Sequence, residues 1–447
     1  MTIAMRPLHL AAALVFMLAV VPAAGDEQRR QVEEILTRIA ELHAGKAIPV
    51  DDFDGLEPLF EAMADRRHVL LGESTHGTHE YYYYRARISQ RLIDEEGFDF
   101  VGIEGDWQNI YRVNEYVKHL TDEAASAREA LSAHSRWPQW MWENEEFEEF
   151  VEWLRDFNAD RPEGERVGLY GLDLQDPRDS MRAVIAWFEE HKEDQAPEVA
   201  EAYECLKRFE GGLGDYARHL HQGGTSCEDE VRAPVDILRT ALEQEPDWTS
   251  AWAAKQNALA VKEAEKQHRS MLLGGAHSWN HRARHMHDTF VRLADHYGPG
   301  SRGIVWAHNT HVGDSSMTEM VERGEVNIGH LLRESAGDEN VFILGFGSHT
   351  GTVIAGETWD VPHREMDIVD SHPQSWEGIL ERSGKESFLI VFGERTRARE
   401  NLVALPQRAI GVVYNPPGEA YVGTILPLRY DAFIFIRETR ALTPFED

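Results

Sequence analysis

His68-Val69-Leu70-Leu71-Gly72-Glu73-Ser74-Thr75-His76-Gly77 passes from an apolar run into a glycine-flanked turn. The segment after it, 79–94, has the apolar spacing of a helix. Strand, tight turn and helix together form the layout that lifts polar side chains clear of a sheet edge. Here the turn offers a carboxylate and an imidazole three residues apart, a pair suited to general base chemistry. An enzyme is therefore the leading reading.

The same rhythm recurs along the chain. Short runs rich in Val, Ile and Phe lie at 69–71, 98–103, 167–172, 303–307, 341–346, 388–392, 410–414 and 433–436. They have strand length, and several carry no polar alternation, which suits a sheet covered on both faces. Helical patterns at 79–94, 107–120 and 179–191 separate them. Alternating strand and helix predicts an α/β fold with a mainly parallel β-sheet flanked by helices. Residues 26–45 read as an amphipathic helix. The stretch 181–295 has few strand signals and several amphipathic helices, 250–271 among them. It reads as a helical insertion or subdomain within one domain spanning 26–447.

Most of these runs end on chemistry. Glu73 and His76 follow the first. Glu104, Asp173, His308-Asn309-Thr310-His311 and His349 follow four others. In open parallel sheets, sites form beyond the carboxyl ends of the strands. Glu73, Glu104, Asp173, His308 and His349 are thus expected to converge on one polar crevice. A single such residue is more often a turn or cap residue; the repetition is what points to a site.

Composition bounds the partners. The chain has 447 residues, with 78 acidic against 45 basic side chains and a net charge of −33. Phosphate would be repelled, so nucleic acid is not an expected partner. Residues 1–25 read as a secretory signal: Arg6, an apolar run over 8–21, then Ala23-Ala24-Gly25 before Asp26. The apolar run is short for a membrane span, so no stable anchor is expected after cleavage. The mature protein is expected to be periplasmic or secreted. Only Cys205 and Cys227 are present, and in an exported chain such a pair reads as a disulfide.

Imidazole is the usual general base near neutral pH, and Glu73 or Glu104 could fix the His76 tautomer. Arg85, on the following helix, shares a face with Thr78, Tyr81 and Tyr82 and could stabilise an oxyanion. Gly72-Glu73-Ser74 resembles the start of a G-x-S-x-G nucleophile elbow, but His76 replaces the last glycine. Ser74 therefore reads as a turn residue. Glu73, His76, Glu104 and His308 would also suit a divalent ion. There is no HExxH, because His79-Glu80 is followed by tyrosine at 82 and 83. The residues leave metal-free and metal-assisted catalysis both open.

These segments resemble the erythromycin esterase family. The likeness rests on Gly72-Glu73-Ser74-Thr75-His76-Gly77, Glu104, Gly171-Leu172-Asp173, Trp279-Asn280-His281-Arg282, His308-Asn309-Thr310-His311 and Tyr430-Asp431-Ala432-Phe433. The resemblance implies an α/β fold whose helical insertion or subdomain lies over the active-site cleft, and hydrolysis of a small-molecule ester, a macrolactone of the macrolide type. It implies His76 as base on water, without an acyl-enzyme and without a required cofactor. Glu73, Arg85 and Glu104 match the family's turn glutamate, following-helix arginine and second-strand glutamate, and His308 and His311 match its paired histidines. Asp173, Asn309 and His349 are the expected substrate-binding residues. More distant metal-dependent relatives reuse a similar turn, which keeps a divalent metal among the alternatives.

Overall fold

The computed structural model describes residues 26–50, 53–132, 136–209, 212–244, 249–416 and 420–446. The signal-like residues 1–25 lie outside them. The strands in chain order are β1 (Ile48–Pro49), β2 (His68–Leu71), β3 (Phe100–Asp106), β4 (Gly168–Asp173), β5 (Gly303–Trp306), β6 (Val341–Ala355), β7 (Arg364–Ile368), β8 (Ser387–Val391), β9 (Leu405–Arg408), β10 (Tyr421–Thr424) and β11 (Ala432–Thr439). Nine form one sheet in the order β1-β8-β11-β6-β2-β5-β3-β4, with β7 paired to β6. From β11 through β4 every neighbouring pair is parallel. β8, β1 and β7 add antiparallel pairings. β9 and β10 pair with each other. This is the α/β architecture that the alternating runs predict.

Every residue of β2, β3, β4 and β5 is buried, and the two-residue period of a strand divides them between two cores. Val69, Leu71, Ile103, Ile304 and Leu344 point to one. Helices His79–Glu96, Trp107–Val117 and Glu145–Asn158 cover it with Ile88, Leu92, Ile110, Val113, Phe147 and Phe150. Leu70, Phe100, Val305 and Ile343 point to the other, against Met286, Phe290 and Leu293 of helix His277–Tyr297. Each large apolar side chain so buried stabilises the fold by about 1.5–3 kcal/mol before entropy is counted.

Register then positions the site. Leu71 lies opposite Trp306, and Trp306 lies opposite Ile103, which pairs with Gly171. These four residues end one row across the sheet. The residues just beyond them include Glu73, His308, Glu104 and Asp173.

Between β4 and β5 the described residues form helices and no strand. Helices Arg178–His191, Ala196–Lys207, Leu213–His221 and Thr249–Ser270 contribute to a separate core around Val184, Phe188, Tyr203 and Val261. Helix His277–Tyr297, at the end of this helical stretch, packs on helix Thr249–Ser270 and also covers the sheet. Cys205 and Cys227 are disulfide-bonded, with Cα atoms 5.7 Å apart. Residues 410–414 are not the expected strand. Ile410 bridges Thr75, and Val413 bridges Gly356; their backbone is spent on two different partners, so no ladder forms.

Candidate active site

The 72–77 turn is pinned from three directions. Leu344 of β6 accepts from Gly72 N–H at 2.9 Å, Glu73 C=O accepts from Asn309 N–H at 2.8 Å, and Ser74 C=O accepts from Ile410 N–H at 2.9 Å. Both glycines are required by close approach. A Cβ on Gly72 would lie 2.1 Å from Asn309 Oδ1, and one on Gly77 would lie 1.9 Å from the Ile354 carbonyl oxygen.

Within this frame His76 Nδ1 lies 2.8 Å from Glu73 Oε1, and a carboxylate partner makes Nδ1 the protonated nitrogen. The other Glu73 oxygen, Oε2, is in ion-pair contact with Arg85 Nη2 at 2.6 Å. Arg85 is fully buried, with its guanidinium 4.4 Å from the Tyr82 ring centre and 5.1 Å from that of Trp306. It therefore stands behind Glu73 and not on the cleft wall, where the oxyanion reading needs it. Helix phase identified its face, but the face is filled by core.

Burial works against the His76 imidazolium. The Glu73 hydrogen bond and the Glu104 and Glu73 charges outweigh it, so the pKa is raised above 6.5. His308 goes the other way. Burial first, and then the neighbouring His76, push it down to about 3. Its Nδ1 accepts from Thr310 N–H at 3.2 Å, as the N-cap of the short helix Asn309–Val312. The two rings sit 5.0 Å apart, one inclined to take a proton and the other held neutral.

Glu104 gathers the remaining pieces. Its Oε2 accepts from His308 N–H at 2.9 Å, and its Oε1 accepts from Arg282 Nη2 at 2.7 Å. Burial opposes its charge, but His311 and Arg282 hold its carboxyl well below the usual range. Arg282 also donates to Asp173, from Nε at 3.0 Å and from Nη2 at 2.7 Å. Asp173 is lowered despite burial, by the Arg282 charge and hydrogen bonds. His311 Nε2 lies 3.1 Å from Arg282 Nη1 and 3.2 Å from Glu104 Oε1, so its tautomer decides which of the two it bonds. Trp279 stacks on the His311 ring at 4.6 Å.

His76, Glu104, Asp173, Arg282, His308 and His311 line one cleft of about 370 Å³. Four of the five strand-end segments meet there. His349 does not. β6 runs beyond its parallel neighbours to pair with β7, and His349 rides on that extension, with Nδ1 2.7 Å from Ser371 Oγ. Asn309 also faces inward, donating from Nδ2 to Phe346 C=O at 2.7 Å. It ties the His308 turn to β6 and is not on the cleft wall. Ser74 Oγ lies 2.7 Å from the Tyr81 hydroxyl, engaged away from His76.

Arg282 was not among the expected site residues, because it follows no strand; its one signal was its place in the Trp279-Asn280-His281-Arg282 segment. Gly411, Val412 and Val413, from a stretch that reads as strand, also line the cleft, with Ala409 just before it. Among the described residues, no group of three or more His, Cys, Asp or Glu side chains is arranged to hold a metal ion.

Known proteins share this frame. Erythromycin esterase type II of Escherichia coli is 21% identical over 333 residues, 69% of this chain and 75% of that protein. The crystal structure of a succinoglycan biosynthesis protein superposes with a TM-score of 0.74 at 22% identity, covering 92% of this chain and 99% of the other. A mutant of the erythromycin esterase EreC, in its open conformation, gives 0.64 at 18% identity over 87% of this chain and 94% of its own. At such identities the structures speak for the fold. Residues 93–439, from within helix His79–Glu96 to the last residue of β11, match the erythromycin esterase family. With most of the chain inside that match, the protein belongs to the erythromycin esterase family, and hydrolase is the activity class that membership carries.

Proposed function

We propose that the protein hydrolyses a carboxylic ester, foremost a macrolactone, with His76 drawing the proton from the attacking water. The observation that carries this reading is the Arg85–Glu73–His76 chain. Glu73 holds the Nδ1 proton of His76, which leaves Nε2 with the lone pair a base needs. Water adds to the carbonyl carbon as its proton moves to Nε2. Glu73 and Glu104 support the imidazolium so formed. Charge on the carbonyl oxygen is offset by Arg282 on the same cleft wall, a contribution on the order of 3 kcal/mol per donor. As the intermediate collapses, the ester C–O bond breaks and the His76 proton passes to the departing alkoxide. The products are one carboxylic acid and one alcohol, joined in a single opened chain when the substrate is a ring. No serine acyl-enzyme is needed, and the Ser74–Tyr81 hydrogen bond is consistent with that. The relative from Escherichia coli, named as an erythromycin esterase, supports an ester over other bonds.

The test is mass spectrometry of a macrolide incubated with the purified protein, with and without EDTA. A gain of one water in both arms is expected. No mass change would remove the macrolactone. A gain abolished by EDTA and restored by a divalent ion would replace this chemistry with a metal-dependent one.

A further inference from the structure

A second, larger hollow adjoins the catalytic cleft. It encloses about 820 Å³ against about 370 Å³ for the cleft, and Arg136, Gln175 and Trp359 are walls of both. One side is formed by loops at the sheet ends. The other comes from the helical stretch, through Leu206, Phe209 and Met271.

The lining favours an apolar occupant. Its arginines and its lysine already have carboxylate partners: Arg136 with Asp106 at 3.1 Å, Arg178 with Asp176, Arg182 with Asp179, and Lys207 with Glu204 at 3.0 Å. The rim, by contrast, leaves apolar surface in water. Of the lining side chains, Trp359 is 61% exposed and Met271 is 46% exposed. Single exposed apolar residues are ordinary, but two large ones lining the same hollow mark a binding surface. Trp359 is also held ready. Its ring meets Trp137 at 4.8 Å, and Trp137 Nε1 donates to the Val361 carbonyl at 2.8 Å. The Cys205–Cys227 bridge begins next to Leu206 and ties down the opposite wall.

We infer that this hollow receives the apolar body of the substrate, so the substrate class is an amphipathic ester too large for the catalytic cleft alone. Its carbonyl lies at His76, and its apolar surface rests on Trp359 and Met271. The inference rests on the ester-hydrolase reading and adds size and polarity to it. Continuity with the cleft through three shared walls makes the occupant the same molecule that reacts.

The test compares p-nitrophenyl decanoate with p-nitrophenyl acetate, using the full chain and its Trp359→Ala, Trp359→Phe and Met271→Ala variants. The decanoate-to-acetate ratio of kcat/KM is expected to fall at least about tenfold in Trp359→Ala, mainly through KM. Trp359→Phe should recover most of it, and Met271→Ala should lower it in the same direction. If both esters change by one common factor, or neither changes, the hollow does not bind the substrate. A second arm needs no catalysis: calorimetry of decanoyl anilide binding to His76→Ala, with and without Trp359→Ala. Weakening of at least about tenfold is expected; equal affinities overturn the inference. If no ester turns over but this binding still depends on Trp359, the ester reading falls and the apolar compartment stands.

Discussion

His76 and His308 are adjacent imidazoles driven in opposite directions by their surroundings. For His76 the carboxylates of Glu73 and Glu104 outweigh burial; for His308 burial and then the neighbouring His76 lower the pKa. Catalysis by neutral His76 therefore predicts a kcat/KM that rises with pH through a limb above 6.5. Glu73→Gln removes the charge that raises it, so the limb should move to lower pH. A pH–rate profile unchanged by Glu73→Gln would count against this pairing. The same variant leaves Arg85 buried without its carboxylate, at a cost of about 3–5 kcal/mol, so urea unfolding should accompany the profile. For stability the sign is the opposite of the activity limb: the His76–Glu73 pair stabilises the fold fully below pH 6.5, and the stabilisation is lost as pH rises through the raised value. His76, Glu73, Glu104, Asp173 and His308 were legible because each stands at the end of an apolar run. Arg282 was not, since nothing local marks a mid-helix arginine that reaches two strand ends. Arg85 was legible as to face but not depth, because periodicity does not say how much core lies over a face.

Elements followed their patterns where burial was symmetrical. β2 through β5 are buried on both sides and read as continuous apolar runs. β6 read as six residues but runs for 15 residues, because its second half pairs with β7 and carries polar positions that break the apolar signal. That extension is what removes His349 from the cleft. Residues 410–414 have strand composition yet serve as cleft wall, a tertiary choice that composition does not record. The disulfide links helix Ala196–Lys207 to a position 22 residues on. Closing a loop of that length stabilises by about 3 kcal/mol through the unfolded state. The Cys205→Ser/Cys227→Ser protein should lose about that much in denaturant unfolding; an unchanged midpoint would show that the helical unit needs no tether.

At the scale of the whole molecule, acidity acts through buried histidines. His43 and His68 are buried, and their pKa values are pushed down to about 4, by burial alone for His43 and by burial and then Arg67 for His68. Each is neutral in the folded chain, so its stabilisation is present above 6.5 and is lost as pH falls toward 4. The loss is on the order of 3 kcal/mol per histidine at the acid end. Acidification also relieves the repulsion within a net charge of −33, so the total slope mixes two effects. His43→Leu separates them: the variant should lose less Tm than the wild type between pH 7 and pH 4.5. Parallel Tm curves would show that His43 is not a source of acid lability. Among the described residues no helix is long and apolar enough to cross a membrane, and the disulfide is compatible with export.

The most direct test of water activation by His76 is kcat/KM for His76→Ala measured beside Ser74→Ala, on whichever ester the protein turns over. His76→Ala should retain the wild-type circular dichroism and lose at least roughly 100-fold in kcat/KM, while Ser74→Ala stays within a few-fold of wild type. If Ser74→Ala abolishes turnover, wild type shows an acyl-enzyme burst and His76→Ala remains active, the nucleophile is the serine and His76 is not the base.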